Sequence, residues 1–87
     1  MTGRKQKNSS VYFVYMLECA DGSIYTGITT DVARRFKEHK AGTASRYTRA
    51  RHARKIIYTE KLRTRNKALK REARIKQMSR TNKLKLI

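Results

Sequence analysis

The sequence predicts a small α/β domain in which helices pack on a three-stranded sheet, with the element order β-β-α-β-α-α. An uninterrupted apolar run at residues 11–17, rich in β-branched and aromatic side chains, is typical of a strand buried on both faces. Two segments with helical apolar spacing follow, and a short strand-like run at residues 55–60 separates them. A chain of 87 residues has room for one small core, which predicts a single domain over residues 11–87.

A hairpin and a helix are predicted directly after the first strand. Asp21-Gly22 is a strong turn signal, and residues 24–28 supply the returning strand. The first helix is predicted over residues 32–41, because Asp31 stands where an N-cap belongs and Gly42 stands where a left-handed glycine commonly ends a helix.

The loop length of the hairpin decides where two tyrosines lie. Tyr15 and Tyr25 can contribute to one site only if they share a sheet face, and strand side chains alternate between faces. A two-residue loop would put them on opposite faces. A three-residue loop at residues 20–22, with Gly22 in the left-handed region and a bulge, pairs Tyr15 with Gly27 and puts both tyrosines on one face. We therefore predict the three-residue loop.

Polar side chains collect at one end of this hairpin and helix. Arg35 and His39, four residues apart, project from the same side of the predicted helix. Together with Tyr15, Tyr25 and Gly27, they predict a functional site at this end of the unit.

A basic segment follows at residues 43–54, with four arginines, no acidic residue and no apolar period. These features predict a surface loop. Arginine interleaved with hydroxyl groups suits phosphate oxygens, and a solvated loop without a ligand is the alternative. The side chains expected to bind nucleic acid are Arg46, Tyr47, Thr48, Arg49 and Arg51.

The last third of the chain is predicted to be mainly helical. After the strand at residues 55–60, Thr64 or Asn66 can cap a second helix that runs to about Met78. Ser79 can cap a short last helix. Three apolar residues at its end are expected to close the core: Leu84, Leu86 and Ile87.

Charge is the dominant bulk property of the chain. It contains 23 Lys and Arg against 6 Asp and Glu, a formal net charge of +17. Such a domain repels itself, which favours a polyanionic partner, with nucleic acid ahead of an anionic membrane because the basic segments lack a large apolar face. Residues 1–10 are expected to be a mobile basic arm. A single cysteine, and no apolar run of membrane or signal-peptide type, favour the cytoplasm.

The residues of the predicted site resemble the motifs of the GIY-YIG nuclease superfamily. Residues 13–15 (Phe-Val-Tyr) stand at the first motif as a degenerate form of Gly-Ile-Tyr, and residues 25–27 (Tyr-Thr-Gly) stand at the second, Tyr-Ile-Gly. Arg35 follows at the spacing of the family's catalytic arginine, and His39 matches the helix histidine of many members. The likeness covers about residues 11–80 and is closest to small stand-alone bacterial members.

Glu72 lies within the apolar stripe of the predicted second helix, between Leu69 and Ile75. A carboxylate on an inward face is costly unless it is paired, so it needs a cation. One candidate is a structural ion pair with an arginine such as Arg35. The resemblance implies the other, because Glu72 matches the family's catalytic glutamate, which holds a metal ion.

The resemblance implies an endonuclease that cuts phosphodiester bonds in DNA with one Mg²⁺. By analogy, Glu72 would hold the metal, Arg35 would hold the scissile phosphate, and Tyr25 would position or activate the attacking water. Tyr15 and His39 would complete the hydrogen-bond network. RNA is a further candidate substrate. The alternatives are a non-catalytic nucleic-acid-binding module of the same fold and, with weaker support, a small basic protein associated with ribosomal RNA.

Overall fold

The computed structural model describes residues 11–87 of the chain. The arm expected at residues 1–10 lies outside the described residues. The elements, in chain order, are β1 (Tyr12–Cys19), β2 (Ile24–Thr29), α1 (Val32–Ala41), α2 (Arg46–Arg51), β3 (Ala53–Leu62), α3 (Arg65–Lys76) and α4 (Arg80–Leu84). No helix in this part of the chain has the length and apolar character needed to cross a membrane.

The three strands form one antiparallel sheet in the order β2-β1-β3. The central strand, β1, has four consecutive residues, 14–17, that are at most 2 % exposed. Helices cover both faces of this strand, so neither set of alternating side chains meets water. The prediction of a strand buried on both faces is therefore confirmed.

The hairpin between β1 and β2 has the predicted three-residue loop. The Cys19 backbone N–H donates to the Ser23 carbonyl at 2.9 Å, which leaves residues 20–22 as the loop. Gly22 has φ +85°, a left-handed conformation that strains any residue with a Cβ. The resulting register pairs Tyr15 with Gly27, so Tyr15 and Tyr25 lie on the same sheet face.

Each face of the sheet carries its own core. On the face of Tyr15 and Leu17, the apolar side chains of α1 pack against the sheet. On the opposite face, Val14 and Met16 pack against Ala68 and other residues of α3. Tyr15 and Tyr25 therefore lie on the face opposite the main apolar core, whereas α3, which carries Glu72, packs on the face of that core.

The helix ends are fixed by short polar side chains. Thr64, and not Asn66, caps α3 by accepting a hydrogen bond from the Lys67 backbone N–H at 3.1 Å. Ser79 caps α4 in the same way, as predicted. Helix α3 ends two residues before the predicted boundary.

The expectation for the three apolar residues at the chain end is only partly right. Leu86 packs against the core cluster of α3 and the sheet. Leu84 and Ile87 are 41 % and 64 % exposed, because the short α4 presents only one narrow face to the core. They do not close it.

The prediction of a loop over residues 43–54 is wrong. Residues 46–51 form α2, and β3 begins at Ala53. The helix starts at Ser45, whose hydroxyl accepts a hydrogen bond from the Thr48 backbone N–H at 3.1 Å. Because Thr48 is fully buried against α1, tertiary contacts stabilise a helix whose charged sequence has no apolar period.

Candidate active site

Four rings form a continuous row from the buried face of the sheet to the surface. The ring of Tyr25 lies 4.9 Å from that of His39 and 5.7 Å from that of Tyr47, measured between centroids. The ring of Tyr15 lies 5.7 Å from that of His39. Tyr15 and His39 are each 2 % exposed, whereas Tyr47 is 36 % exposed. The predicted approach of Tyr15, Tyr25 and His39 is therefore present.

His39 is held through both ring nitrogens. Its Nε2 lies 2.8 Å from the Tyr15 hydroxyl, and its Nδ1 lies 2.7 Å from the Thr48 hydroxyl. Burial lowers the pKa of His39 below its ordinary value, and the positive charge of Arg35 lowers it further, against the opposing effect of Glu38. The ring is therefore neutral at neutral pH, donating one hydrogen bond and accepting the other.

Gly27 provides the space for the Tyr15 hydroxyl. A Cβ at this position would lie 2.6 Å from the Tyr15 Oη and 2.8 Å from its Cζ, both shorter than van der Waals contact. Because the register places Gly27 directly opposite Tyr15, the tyrosine side chain extends over the glycine backbone. The glycine of the second motif thus keeps Tyr15 in reach of His39.

The charges around Tyr15 show which groups lie close together. Burial raises the pKa of the Tyr15 phenol far above its ordinary value, and the nearby Tyr25 raises it further. The carboxylate of Glu72 also raises this pKa, whereas the guanidinium of Arg35 lowers it. Tyr15 therefore stays protonated at neutral pH and acts as a hydrogen-bonding group. Both Arg35 and Glu72 lie within electrostatic range of its hydroxyl.

Arg35 forms an ion pair with Glu38, one turn along α1. The distance from Nη1 to Oε1 is 2.9 Å, and the two side chains are 39 % and 34 % exposed. Glu38 also binds Arg34 at 3.3 Å. Arg35 thus presents a partly exposed guanidinium that is paired with one carboxylate.

Glu72 pairs with Lys76 and not with Arg35. The Lys76 Nζ lies 3.2 Å from the Glu72 Oε2, and the Glu72 side chain is 17 % exposed. Within residues 11–87, the structure gives the other carboxylate oxygen no hydrogen bond, and no group of three or more metal-ligating side chains is found. A single recessed carboxylate with a free oxygen fits Mg²⁺, which often takes one or two protein carboxylates together with waters and phosphate.

The side chains of α2 divide into three kinds. Arg46 and Arg49 are exposed and, in the part of the chain that the structure describes, have no ion-pair partner. Arg51 binds Asp21 at 2.7 Å and lies over the Tyr47 ring, 4.6 Å from its centroid. Thr48 is fully buried, so it does not belong to the exposed nucleic-acid surface that the sequence indicated.

Two functional contributions were not predicted from the sequence. Thr48 holds His39, and Gly27 makes room for Tyr15. The N-cap type of Ser45, three residues before Thr48, was a signal for a helix that would bury one of its faces. The requirement for a small residue at Gly27 follows from the predicted hairpin register.

This fold and this cluster define a small α/β domain with one polar site at an edge of its sheet. The family model for the GIY-YIG catalytic domain matches residues 11–85. The chain belongs to the GIY-YIG family, as its motifs predicted.

Similar proteins occur in distant microorganisms. The UPF0213 protein DP2720 of Desulfotalea psychrophila is 46 % identical over 97 % of this chain and 77 % of its own length. The UPF0213 protein VNG_2274C of Halobacterium salinarum is 48 % identical over 84 % of this chain and 95 % of its own.

Two solution NMR structures resemble the fold. The UPF0213 protein BH0048 of Bacillus halodurans has a TM-score of 0.56 and 42 % identity, covering 87 % of this chain and 81 % of that one. The protein EF2693 of E. faecalis has a TM-score of 0.58 and 40 % identity, covering 91 % and 85 %.

Proposed function

We propose that the protein is a Mg²⁺-dependent endonuclease that hydrolyses phosphodiester bonds in DNA. Membership of the GIY-YIG family supports a nuclease, since domains of this family act on nucleic acid. The observation that carries the proposal is the packing of three rings, Tyr15 of β1, Tyr25 of β2 and His39 of α1, into one cluster. Arg35 of α1 and Glu72 of α3 lie within electrostatic range of the Tyr15 hydroxyl in this cluster.

Arg35 is the residue that holds the scissile phosphate. Its planar guanidinium can bind two phosphate oxygens at once and neutralise the charge that develops on them. In the free protein it binds Glu38, which is partly exposed and can turn toward solvent or Arg34 when a phosphate replaces it. Substrate binding therefore exchanges one anion for another at Arg35.

Glu72 is the residue that would hold Mg²⁺. When bound, the ion supplies Lewis-acid stabilisation of the leaving oxygen. Lys76 neutralises one oxygen of the carboxylate and leaves the other for the metal. Glu72 is recessed because buried Ala68 and Ile75 lie one turn away on each side of it along α3.

Tyr25 positions or activates the attacking water. It is more exposed than Tyr15, and its ring contacts the buried histidine. Tyr15, His39 and Thr48 form a hydrogen-bonded chain behind it that fixes the inner wall of the site. A neutral His39 suits this role, since a charged imidazolium could not accept a hydrogen bond.

A non-catalytic nucleic-acid-binding module is the second candidate. It is favoured by the fact that Arg35 and Glu72 each have an ion-pair partner in the free protein. A module that only binds phosphate gains nothing from a carboxylate at Glu72, because that charge repels the ligand.

The deciding experiment incubates the protein with labelled single-stranded, duplex and branched DNA, and with RNA, in Mg²⁺ or in chelator. The proposal expects cleavage of at least one DNA form in Mg²⁺ and none in chelator. Binding of DNA without cleavage of any form would establish the binding module instead.

A further inference from the structure

A cavity of about 280 Å³ lies beside the candidate active site, between the hairpin, α2 and α4. Arg80, at the start of α4, donates a hydrogen bond from Nη1 to the Gly22 carbonyl and so fastens this helix to the hairpin loop. The lining side chains are Ser23, Ile24, Tyr47, Arg80 and Lys83.

The charge of this cavity is positive and uncompensated. Arg80 and Lys83 line it, and no acidic residue does. All 6 acidic residues of the chain lie within the described part, and each is within 4.0 Å of a lysine or arginine other than Arg80 and Lys83. The two cavity cations are therefore available to an anion from outside, and an amine and a guanidinium together suit phosphate.

The rest of the lining suits a nucleobase. Ile24 and Tyr47 supply apolar and aromatic surface, and Tyr47 is 36 % exposed. Aromatic side chains beside a cationic groove are the common means of binding unpaired nucleotides, because every base has a face that can stack. The volume is at the lower limit of small-molecule sites, which fits one nucleotide.

The cavity is next to the proposed water-activating residue. The Tyr47 ring lies 5.7 Å from that of Tyr25, and Ile24 directly precedes Tyr25 in the edge strand β2. A nucleotide in this cavity would thus lie beside Tyr25, the residue proposed to position the attacking water.

We propose that this cavity binds one unpaired nucleotide of the strand that is cut, its phosphate between Arg80 and Lys83 and its base against Tyr47 and Ile24. The inference rests on the proposed nuclease function and specifies its substrate class. That class is DNA with an unpaired nucleotide beside the scissile phosphate, as in a single strand, a flap or a branch point.

Tyr47 tests the base contact. Affinity is measured by fluorescence anisotropy, in chelator, for a labelled single strand of about ten nucleotides and for the blunt duplex of the same sequence. Tyr47→Ala should weaken single-strand binding at least about fivefold and leave duplex binding near that of the wild type. Tyr47→Phe keeps the ring and should bind as the wild type does. Equal loss on both DNAs, or no loss on either, would overturn the inference.

Lys83 tests the phosphate contact without touching the aromatic row. Lys83→Ala should make the dependence of log affinity on log salt shallower by about 0.7 on a single strand. Lys85→Ala is the matched control, since it removes the same charge two residues away, outside the cavity. If both variants change the slope equally, the inference is overturned. This comparison decides the matter if Tyr47→Ala does not fold.

The two proposals fail in different ways. Because binding is measured in chelator, the effects at Tyr47 and Lys83 do not require cleavage. A wild type that cleaves DNA while these variants bind normally would refute the cavity alone. If the variants show these binding effects but the wild type cleaves no nucleic acid in Mg²⁺, the nuclease proposal is refuted and the nucleotide-binding cavity remains.

Discussion

At Gly27, the absence of a side chain is what allows Tyr15 to reach His39. A motif glycine in a strand often suggests a turn or a bulge, but Gly27 lies in regular pairing opposite Tyr15. Its role is steric, since the tyrosine hydroxyl occupies the place where a Cβ would be. The glycine is therefore part of the site although it contributes no chemical group.

Gly27→Ala should displace the Tyr15 hydroxyl and break its hydrogen bond to His39. Forcing a methyl group against a buried side chain typically costs about 1–3 kcal/mol of unfolding free energy. Tyr15→Phe removes the atom in closest conflict, so the cost of Gly27→Ala should be smaller in that background. Denaturant unfolding of both single variants and the double variant measures the coupling. Strictly additive costs would show that the two residues do not conflict.

Two buried threonines offer a matched comparison at the same scale. Thr48 holds the Nδ1 of His39, whereas the Thr26 hydroxyl is buried and has no hydrogen-bond partner in residues 11–87. Thr48→Val should cost about 1–3 kcal/mol because it leaves a buried ring nitrogen unpaired. Thr26→Val should be neutral or stabilising, since it removes an unsatisfied hydroxyl. Thermal unfolding of the two variants tests this, and equal destabilisation would contradict it.

Among the elements, the hairpin was the most predictable and α2 the least. The hairpin register follows from local chemistry, because Gly22 accepts the left-handed conformation of a three-residue loop, and this loop pairs Tyr15 with Gly27. Helix α2 has no apolar period and is stabilised by contacts with α1 and the hairpin, which no local pattern specifies. Glu72 was expected to pair with an arginine such as Arg35 or with a metal ion, whereas its ion-pair partner in the structure is Lys76.

The N-cap of α2 gives a test at the scale of the element. Ser45→Ala removes the acceptor of the Thr48 backbone N–H and should cost about 0.5–2 kcal/mol, with faster hydrogen exchange along α2. Ser45→Asn keeps a good capping side chain and is the control. If both variants exchange alike, the cap is not what holds this helix.

Across the described part of the molecule, cations in ion pairs support the fold, whereas cations outside ion pairs are available to bind an anion. The acidic residues each engage a cation, and some of these pairs join distant elements, as Arg51 and Asp21 join α2 to the hairpin. Within residues 11–87, Arg46 and Arg49 are among the cations that form no such ion pair. The sequence predicted the basic surface correctly from composition, but it could not tell paired arginines from unpaired ones.

The salt dependence of DNA binding should distinguish the unpaired arginines of α2 from the paired one. Replacing both Arg46 and Arg49 with alanine should make the slope of log affinity against log salt shallower by up to about 1.8 on duplex DNA, at about 0.9 for each phosphate contact. Arg51→Ala is the control within the same helix and should change the slope less, because Asp21 already neutralises that charge. Equal changes for Arg51 and for each of the other two would contradict the assignment.

The proposed function requires Glu72 to be a metal ligand and not only the partner of Lys76 in a structural ion pair. Its partner Lys76 is 53 % exposed, and such exposed pairs contribute at most about 1 kcal/mol to stability. Glu72→Gln should therefore stay folded and bind DNA at least as tightly as the wild type, because one charge that repels phosphate is gone. Lys76→Gln breaks the same ion pair but keeps the carboxylate, so it serves as the matched control.

Mg²⁺-dependent cleavage by these two variants and the wild type distinguishes a metal-binding Glu72 from a structural one, with melting temperature and DNA affinity recorded for each protein. We expect the Glu72→Gln variant to be folded, to bind DNA and to be inactive, and we expect the Lys76→Gln variant to cleave. Cleavage by Glu72→Gln at the wild-type rate, or equal loss of cleavage in both variants, would contradict this expectation.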